Sequence, residues 1–149
     1  MLGQIERGES NPTIQTLWRI ANGLRISLSF LLSRSVNEAE VVRMAEIPPV
    51  VGDSGRFKVY SLFPFHEETR FEILSVEMDE GAFSESDAHI PGAVEFLLAT
   101  EGRVAVVLGG EERILAAGDS LRYKADRPHA YKNAGPGRAG FRMVMFYPD

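Results

Sequence analysis

The sequence contains no cysteine among its 149 residues. This absence excludes disulfide bonds, thiolate metal sites and cysteine nucleophiles, and it agrees with a reducing compartment. The sequence also lacks any apolar run near the roughly 20 residues that cross a bilayer, and its first residues, which include Glu6 and Glu9, do not have the pattern of a secretory signal. We therefore expect a cytoplasmic protein with no membrane segment.

Positive charge is scarce in most of the chain but not at its start. The net charge is −5. Residues 1–34 hold four arginines and two glutamates, so they carry +2 and leave −7 on the remainder. Such asymmetry indicates two parts with different partners. With 44% hydrophobic and 25% charged residues, the composition as a whole predicts a folded, globular protein.

The N-terminal part has the periodicity of an amphipathic helix. Thr13 follows Pro12 as a predicted N-cap, and Gly23 is predicted to form a left-handed turn at the helix end. The apolar positions that recur at helical spacing are Ile14, Leu17, Trp18, Ile20, Ala21 and Leu24. A helix this short needs a partner to cover its apolar face.

Residues 35–56 combine turn formers and charge without periodicity, which predicts a linker, although the pairs Val41-Val42 and Val50-Val51 favour edge-strand pairing. Beyond it, short β-branched and aromatic segments alternate with turns, and Gly109-Gly110 is the clearest hairpin turn. We predict strands at 57–63, 71–79, 94–100, 103–108, 111–116, 119–123, 129–133 and 140–147. About eight short antiparallel strands suit a jelly-roll barrel.

A motif in residues 2–24 consists of Leu2-Gly-Gln-Ile-Glu-Arg-Gly-Glu-Ser-Asn-Pro-Thr13, then Thr16-Leu-Trp18 and Ile20-Ala-Asn-Gly-Leu24. It resembles the second half of the λ-repressor-like (XRE) helix-turn-helix domain, which implies a DNA-binding domain in residues 1–34. The base-reading start of the recognition helix has no counterpart here. Gln4 is therefore at most a DNA backbone contact, and we expect the natural protein to extend upstream of Met1. The alternative is a helical appendage that packs on the barrel or on a second subunit.

A second motif lies in the predicted strands, in two parts. The first part has Gly81, Asp87, His89, Glu95 and Gly102 in order, and the second has Gly118-Asp119, His129 and Asn133. Together they resemble the cupin superfamily over residues 57–149, with Asp87 where the first histidine is expected. The resemblance implies a mainly β fold, the cupin double-stranded β-helix, joined to an all-α remnant.

Three residues of this motif are candidate metal ligands. If the strands close into a barrel, His89, Glu95 and His129 face one interior, and two imidazoles with a carboxylate suit zinc, nickel, iron or manganese. Asp87 is a candidate fourth ligand. The alternative is a barrel without metal, in which the three residues hydrogen-bond each other or an organic ligand.

Three further residues are candidate contacts to a carboxylate-bearing effector: Arg122, Tyr131 and Arg142. For each, a surface or interstrand role is the simpler interpretation. His66, the third histidine, lies beside Glu67 and Glu68 in a polar loop and is predicted to be a surface residue.

The two resemblances together describe bacterial transcriptional regulators in which a cupin domain binds a small metabolite. We therefore expect a homodimer that binds DNA in its full-length form and whose cupin domain senses a small polar metabolite, with a divalent metal as a candidate cofactor. The alternatives are a metal-dependent cupin enzyme of dioxygenase or isomerase type and a free-standing small-molecule-binding cupin. No clear general base accompanies the metal ligands, which counts against the enzyme.

Overall fold

The computed structural model of the protein describes residues 3, 5, 7, 13–24 and 39–148. The chain divides into two compact units, Met1–Val41 and Val42–Asp149. Gln4, the candidate DNA contact, lies outside the described residues. Among the described residues, no helix has the length and apolar content that a membrane span requires.

The first unit contains a helix over Ile14–Leu24. The N-cap prediction is confirmed, because the backbone N–H of Thr16 donates to Thr13 Oγ1 at 3.3 Å. The prediction for Gly23 is wrong: this glycine has no left-handed φ and lies inside the last helical turn, so the helix continues to Leu24.

The second unit is a two-sheet barrel. Its described part has ten strands: β1 (Val50–Gly52), β2 (Phe57–Phe63), β3 (Phe71–Met78), β4 (Phe83–Ser86), β5 (Val94–Glu101), β6 (Arg103–Leu108), β7 (Glu111–Ala116), β8 (Ser120–Lys124), β9 (His129–Asn133) and β10 (Ala139–Phe146). One sheet has the order β1-β2-β3-β10-β5-β8 and the other the order β4-β9-β6-β7. All the pairings are antiparallel. This is the predicted mainly β jelly-roll architecture.

All eight predicted strands are present, and two further strands join them. β1 lies within the predicted linker and pairs with β2 at the edge of the larger sheet. β4 pairs with β9, with Ser86 opposite His129. The sequence of β4, Phe-Ser-Glu-Ser, has little intrinsic strand preference, so this strand forms because a partner strand lies beside it.

The core lies between the two sheets and is built by alternation along each strand. On β10, Phe141, Met143 and Met145 point inward and are at most 5% exposed. Gly109 and Gly110 both have positive φ and close the β6–β7 hairpin, as predicted.

Candidate metal and effector site

Glu95 is placed inside the barrel by the alternation of β5. It lies between Met145 of β10 and Tyr123 of β8 in the register of the larger sheet. Its side chain is completely buried. A buried carboxylate is unfavourable unless it is paired or hydrogen-bonded, so its surroundings decide its role.

His129 is the first residue of β9 and reaches Glu95 from the opposite sheet. Its Nδ1 lies 2.8 Å from the backbone oxygen of Arg127. Because a carbonyl oxygen only accepts, Nδ1 must carry the hydrogen of this bond. In the neutral ring the lone pair is then on Nε2, the nitrogen that faces Glu95, and this is the arrangement that second-shell carbonyls impose on metal-binding histidines.

His89 comes from the loop between β4 and β5. The backbone N–H of His89 donates to the oxygen of Ala125 at 2.9 Å, and the N–H of Gly92 donates to Asp126 Oδ2 at 3.3 Å. These bonds tie the loop to the β8–β9 connection. The side chain of His89 is 25% exposed, so it is the one ligand of the three that solvent can reach.

The three side chains converge on one carboxylate oxygen. Glu95 Oε1 lies 3.0 Å from His89 Nε2 and 3.3 Å from His129 Nε2, and all three ligand atoms lie within 4.8 Å of one another. Two ligands about 2.0–2.2 Å from a single metal stand about 3.0–3.5 Å apart at octahedral to tetrahedral angles. The two distances from Glu95 Oε1 to the imidazole nitrogens therefore fit ligands that share a cation.

The hydrogen bonding of Glu95 supports the same interpretation. Oε1 is buried and accepts no hydrogen bond, although two imidazole nitrogens face it. A lone pair on oxygen that faces a lone pair on His129 Nε2 is repulsive unless a proton or a metal cation lies between them. The residues present therefore fit a divalent metal.

The other carboxylate oxygen has two phenolic donors. The hydroxyl of Tyr123 donates to Glu95 Oε2, and the hydroxyl of Tyr131 donates to the same atom at 2.7 Å. The Tyr131 oxygen also lies 3.0 Å from His129 Nε2. Burial, followed by the charge of Glu95, raises the pKa of both tyrosines, so both stay neutral and act as donors.

Glu95 and His129 shift each other's pKa in opposite directions. Burial alone would raise the pKa of Glu95, but His129, Tyr123 and Tyr131 outweigh burial and lower that pKa below its ordinary value. Burial alone would lower the pKa of His129, but Glu95 and the Arg127 carbonyl outweigh it and raise that pKa. The site therefore holds a carboxylate anion that attracts positive charge.

A cavity of about 310 Å³ opens beside these ligands between the two sheets. Its apolar wall includes Phe141, Met143 and Met145. Its polar lining consists of Glu72, Ser84, Glu85, Ser86, His89, Tyr131 and Tyr147. The volume suits a small molecule, and no lysine or arginine belongs to the part of the lining that the structure describes.

The structure brings together some of the predicted site residues and separates others. Tyr131 lies at the cavity and contacts two of the three ligands. Asp87 is exposed beyond the end of β4 and is not part of the ligand group found among the described residues. In the alternation of β4, Ser84 and Ser86 are the partly buried residues, and Asp87 follows them in the exposed phase, just after the strand ends.

Neither predicted arginine reaches the cavity. Arg142 alternates with the inward residues Phe141 and Met143, so its guanidinium lies on the outer face, where it donates to Ser75 Oγ. Arg122 is the strand neighbour of Tyr123 and lines an outer groove with Phe96 and Phe146. Both are separated from the cavity by the sheet itself.

Sequence reasoning missed Tyr123. The residue lies in a predicted strand, but only its register opposite Glu95 gives it a role. A signal was available in the alternation, because Leu121 and Tyr123 share one phase of β8 and Arg122 has the other.

The fold and the site together define a class of protein. A family model described as a cupin domain matches residues 74–146, and one described as a helix-turn-helix matches residues 1–31. A helix-turn-helix followed by one cupin barrel is the arrangement of a transcriptional regulator. The chain belongs to the family of helix-turn-helix transcriptional regulators with a cupin domain.

Individual relatives support this assignment over nearly the whole chain. The chain is 36% identical to the HTH-type transcriptional regulator SutR of Escherichia coli (strain K12) over 148 residues, which are 99% of this chain and 79% of the relative. A crystal structure of an HTH_3 family transcriptional regulator from Vibrio cholerae is 34% identical, with a TM-score of 0.63, and the match covers 100% of this chain and 80% of that one.

The cupin part has its own match. The cupin domain of an XRE family transcriptional regulator from Enterobacter cloacae is 32% identical, with a TM-score of 0.61, over 63% of this chain and 99% of that one. The prediction of a transcriptional regulator is confirmed, and these relatives give the enzyme alternative no support.

Proposed function

We propose that the cupin barrel of this regulator senses a small polar metabolite beside a divalent metal ion, and that binding there changes how the helix-turn-helix domain binds DNA. The observation that carries the proposal is the meeting of His89, Glu95 and His129 at the edge of a cavity of about 310 Å³. The group joins two imidazoles and a buried carboxylate beside a cavity that His89 lines, a combination that the fold alone does not need.

In this proposal His89, Glu95 and His129 hold the metal, with zinc, nickel, iron and manganese as the candidates. The metal would supply a Lewis-acid position that accepts a lone pair from the metabolite. Glu95 contributes the negative charge that holds the cation, and the Arg127 carbonyl keeps the His129 ring oriented. Because His89 is the exposed ligand, the metabolite would approach from its side.

The charged residues of the cavity lining indicate which kind of metabolite can bind. Glu72 and Glu85 line the cavity, and Glu72 Oε1 accepts a hydrogen bond from Tyr147 at 2.6 Å. Because Arg122 and Arg142 lie on the outer face, the lining has no described lysine or arginine, and the proposed metal ion is the positive charge that an anionic group of the metabolite would meet. Away from the metal, the lining favours groups that donate hydrogen bonds to the acids and to Ser84 or Ser86.

The DNA-binding part of the proposal assigns residues 1–34 to the helix-turn-helix domain, 35–56 to a linker and 57–149 to the sensor. Domains of this kind bind two-fold symmetric sites as dimers, so the active form is a homodimer. Regulation requires that metabolite and metal bind two arrangements of the protein unequally. The coupling is reciprocal, so DNA must change metabolite affinity by the same factor.

The test is selection of fragmented genomic DNA by the purified full-length form of the protein, followed by sequencing, in low salt with Zn²⁺ or with EDTA. We expect enrichment of a two-fold symmetric sequence whose yield differs between the two conditions. His129→Ala should keep the sequence preference and lose the difference, whereas His66→Ala, at an exposed histidine away from the cavity, should behave as wild type. DNA recovered without sequence preference would contradict the proposal.

A further inference from the structure

Two phenols act on one oxygen of Glu95 and leave the other oxygen without a hydrogen bond. The hydroxyls of Tyr123 and Tyr131 both donate to Oε2, and Oε1 accepts none. The carboxylate is fully buried, so water cannot donate a hydrogen bond to Oε1. Buried oxygens are normally hydrogen-bonded. An oxygen that lacks such a bond and faces two imidazole nitrogens is therefore suited to bind a cation.

The two phenols come from different sheets. Tyr123 is the register partner of Glu95 on β8, and Tyr131 lies on β9 of the smaller sheet, opposite Val106. Their oxygens are 3.2 Å apart. Because donors from both sheets hold Oε2, rotation of the carboxylate group would break two hydrogen bonds at once, and the plane of the group is fixed.

On the basis of the proposed metal site, we infer that Tyr123 and Tyr131 are positioning residues: they occupy Glu95 Oε2 and present Oε1 alone to the metal. A carboxylate can bind a metal through one or both oxygens. Held in this way, Glu95 is a one-oxygen ligand, and a coordination position remains for the metabolite.

The hydroxyl of Tyr131 has a second polar contact that the hydroxyl of Tyr123 lacks. Its oxygen lies 3.0 Å from His129 Nε2, so this phenol touches two of the three ligands. It also lines the cavity. Removal of the Tyr131 hydroxyl should therefore disturb the metal site more than removal of the Tyr123 hydroxyl.

The test uses Co²⁺, whose visible absorption reports coordination number and geometry. Wild type, Tyr123→Phe and Tyr131→Phe are titrated with Co²⁺ against a competing chelator, and X-ray absorption counts the ligand atoms. Outer-shell partners of metal ligands typically contribute about 10–100-fold in affinity. We expect losses in that range, larger for Tyr131→Phe, together with a changed spectrum and an added oxygen ligand as Glu95 turns to bind through both atoms.

The matched control is Tyr60→Phe. Tyr60 also donates to a glutamate, Glu77 Oε2 at 3.2 Å, but on the other face of the sheet, so this variant should bind Co²⁺ as wild type does. Each tyrosine variant keeps the aromatic ring, and circular dichroism establishes that it is folded. If one variant is unfolded, the other decides the question.

Two results would overturn the inference, and they differ in meaning. If wild type binds Co²⁺ and both folded variants show the same affinity and spectrum, the positioning role is wrong while the metal site stands. If wild type binds no Co²⁺, the metal site itself is wrong, and the role of the tyrosines falls with it.

Discussion

The two faces of the six-stranded sheet contain similar residue types, but these residues have different roles on each face. On β5 the inward residues Glu95 and Leu97 are completely buried, whereas their outward neighbours Phe96 and Leu98 are 41% and 43% exposed. On the inner face, Glu95 joins Tyr123, Tyr131 and His129 in one connected network. On the outer face, Arg142 donates to Ser75 Oγ and Tyr60 donates to Glu77 Oε2.

The difference shows that the role of a polar residue follows from its face and its neighbours. Arg122 and Arg142 have the chemistry to bind a carboxylate, but strand alternation turns both away from the cavity. Tyr123 has an unremarkable side chain for a strand, yet its register makes it a partner of Glu95. The following predictions test this contrast between the inner and outer faces.

The largest effect is expected at the metal ligands. His129→Ala and His89→Ala should each weaken Zn²⁺ binding by more than about 100-fold, because the loss of a direct ligand exceeds the effect of an outer-shell partner. Metal content after dialysis and calorimetric titration measure this. His66→Ala is the control, since His66 is exposed in the β2–β3 loop. Equal metal content in all three variants would contradict the assigned ligands.

The next comparison uses adjacent leucines on β5. Leu97→Ala removes a fully buried side chain and should lower the free energy of unfolding by about 2–5 kcal/mol. Leu98→Ala, on the exposed face, should lower it by less than about 1 kcal/mol. Guanidinium unfolding followed by circular dichroism measures both. Similar losses would show that the outer face is covered in solution.

Two glycines with positive φ provide a steric comparison. At Gly102 an added Cβ would lie 2.3 Å from the Arg138 oxygen and 2.9 Å from Ala139 Cα, whereas at Gly110 it would meet no atom within 4 Å. Gly110→Ala should therefore cost only the left-handed strain, about 1–2 kcal/mol. Gly102→Ala adds a backbone clash and should cost about 2–4 kcal/mol. Thermal unfolding of the two variants measures both losses of stability. Equal losses would contradict the predicted clash at Gly102.

The smallest effect is expected at the outer arginines. Arg122→Ala and Arg142→Ala should change Co²⁺ affinity by less than about twofold, because the sheet separates both side chains from the ligands and distant sites act independently. The Co²⁺ titration used for the tyrosine variants measures this. A tenfold loss in either variant would show that the outer face is coupled to the metal site.

Much of the fold was predictable because it depends on local patterns. Alternation and turn residues located eight strands, and Thr13 was identified as a helix cap from its residue type and position. Two features were not predicted. β4 has no strong strand preference and forms because β9 lies beside it, and Gly23 remains helical although glycine also permits the left-handed turn.

The sequence by itself determined which chemical groups are present and in what order: two histidines and a glutamate at ligand spacing, in a chain without thiols. Only the tertiary structure decided which groups meet. It brought Glu95 Oε1 to the two imidazoles, gave Oε2 to Tyr123 and Tyr131, and turned Asp87 and the two arginines away. The reason is that alternation fixes only which residues share a face, whereas sheet register and closure of the barrel fix which faces and which residues lie opposite each other.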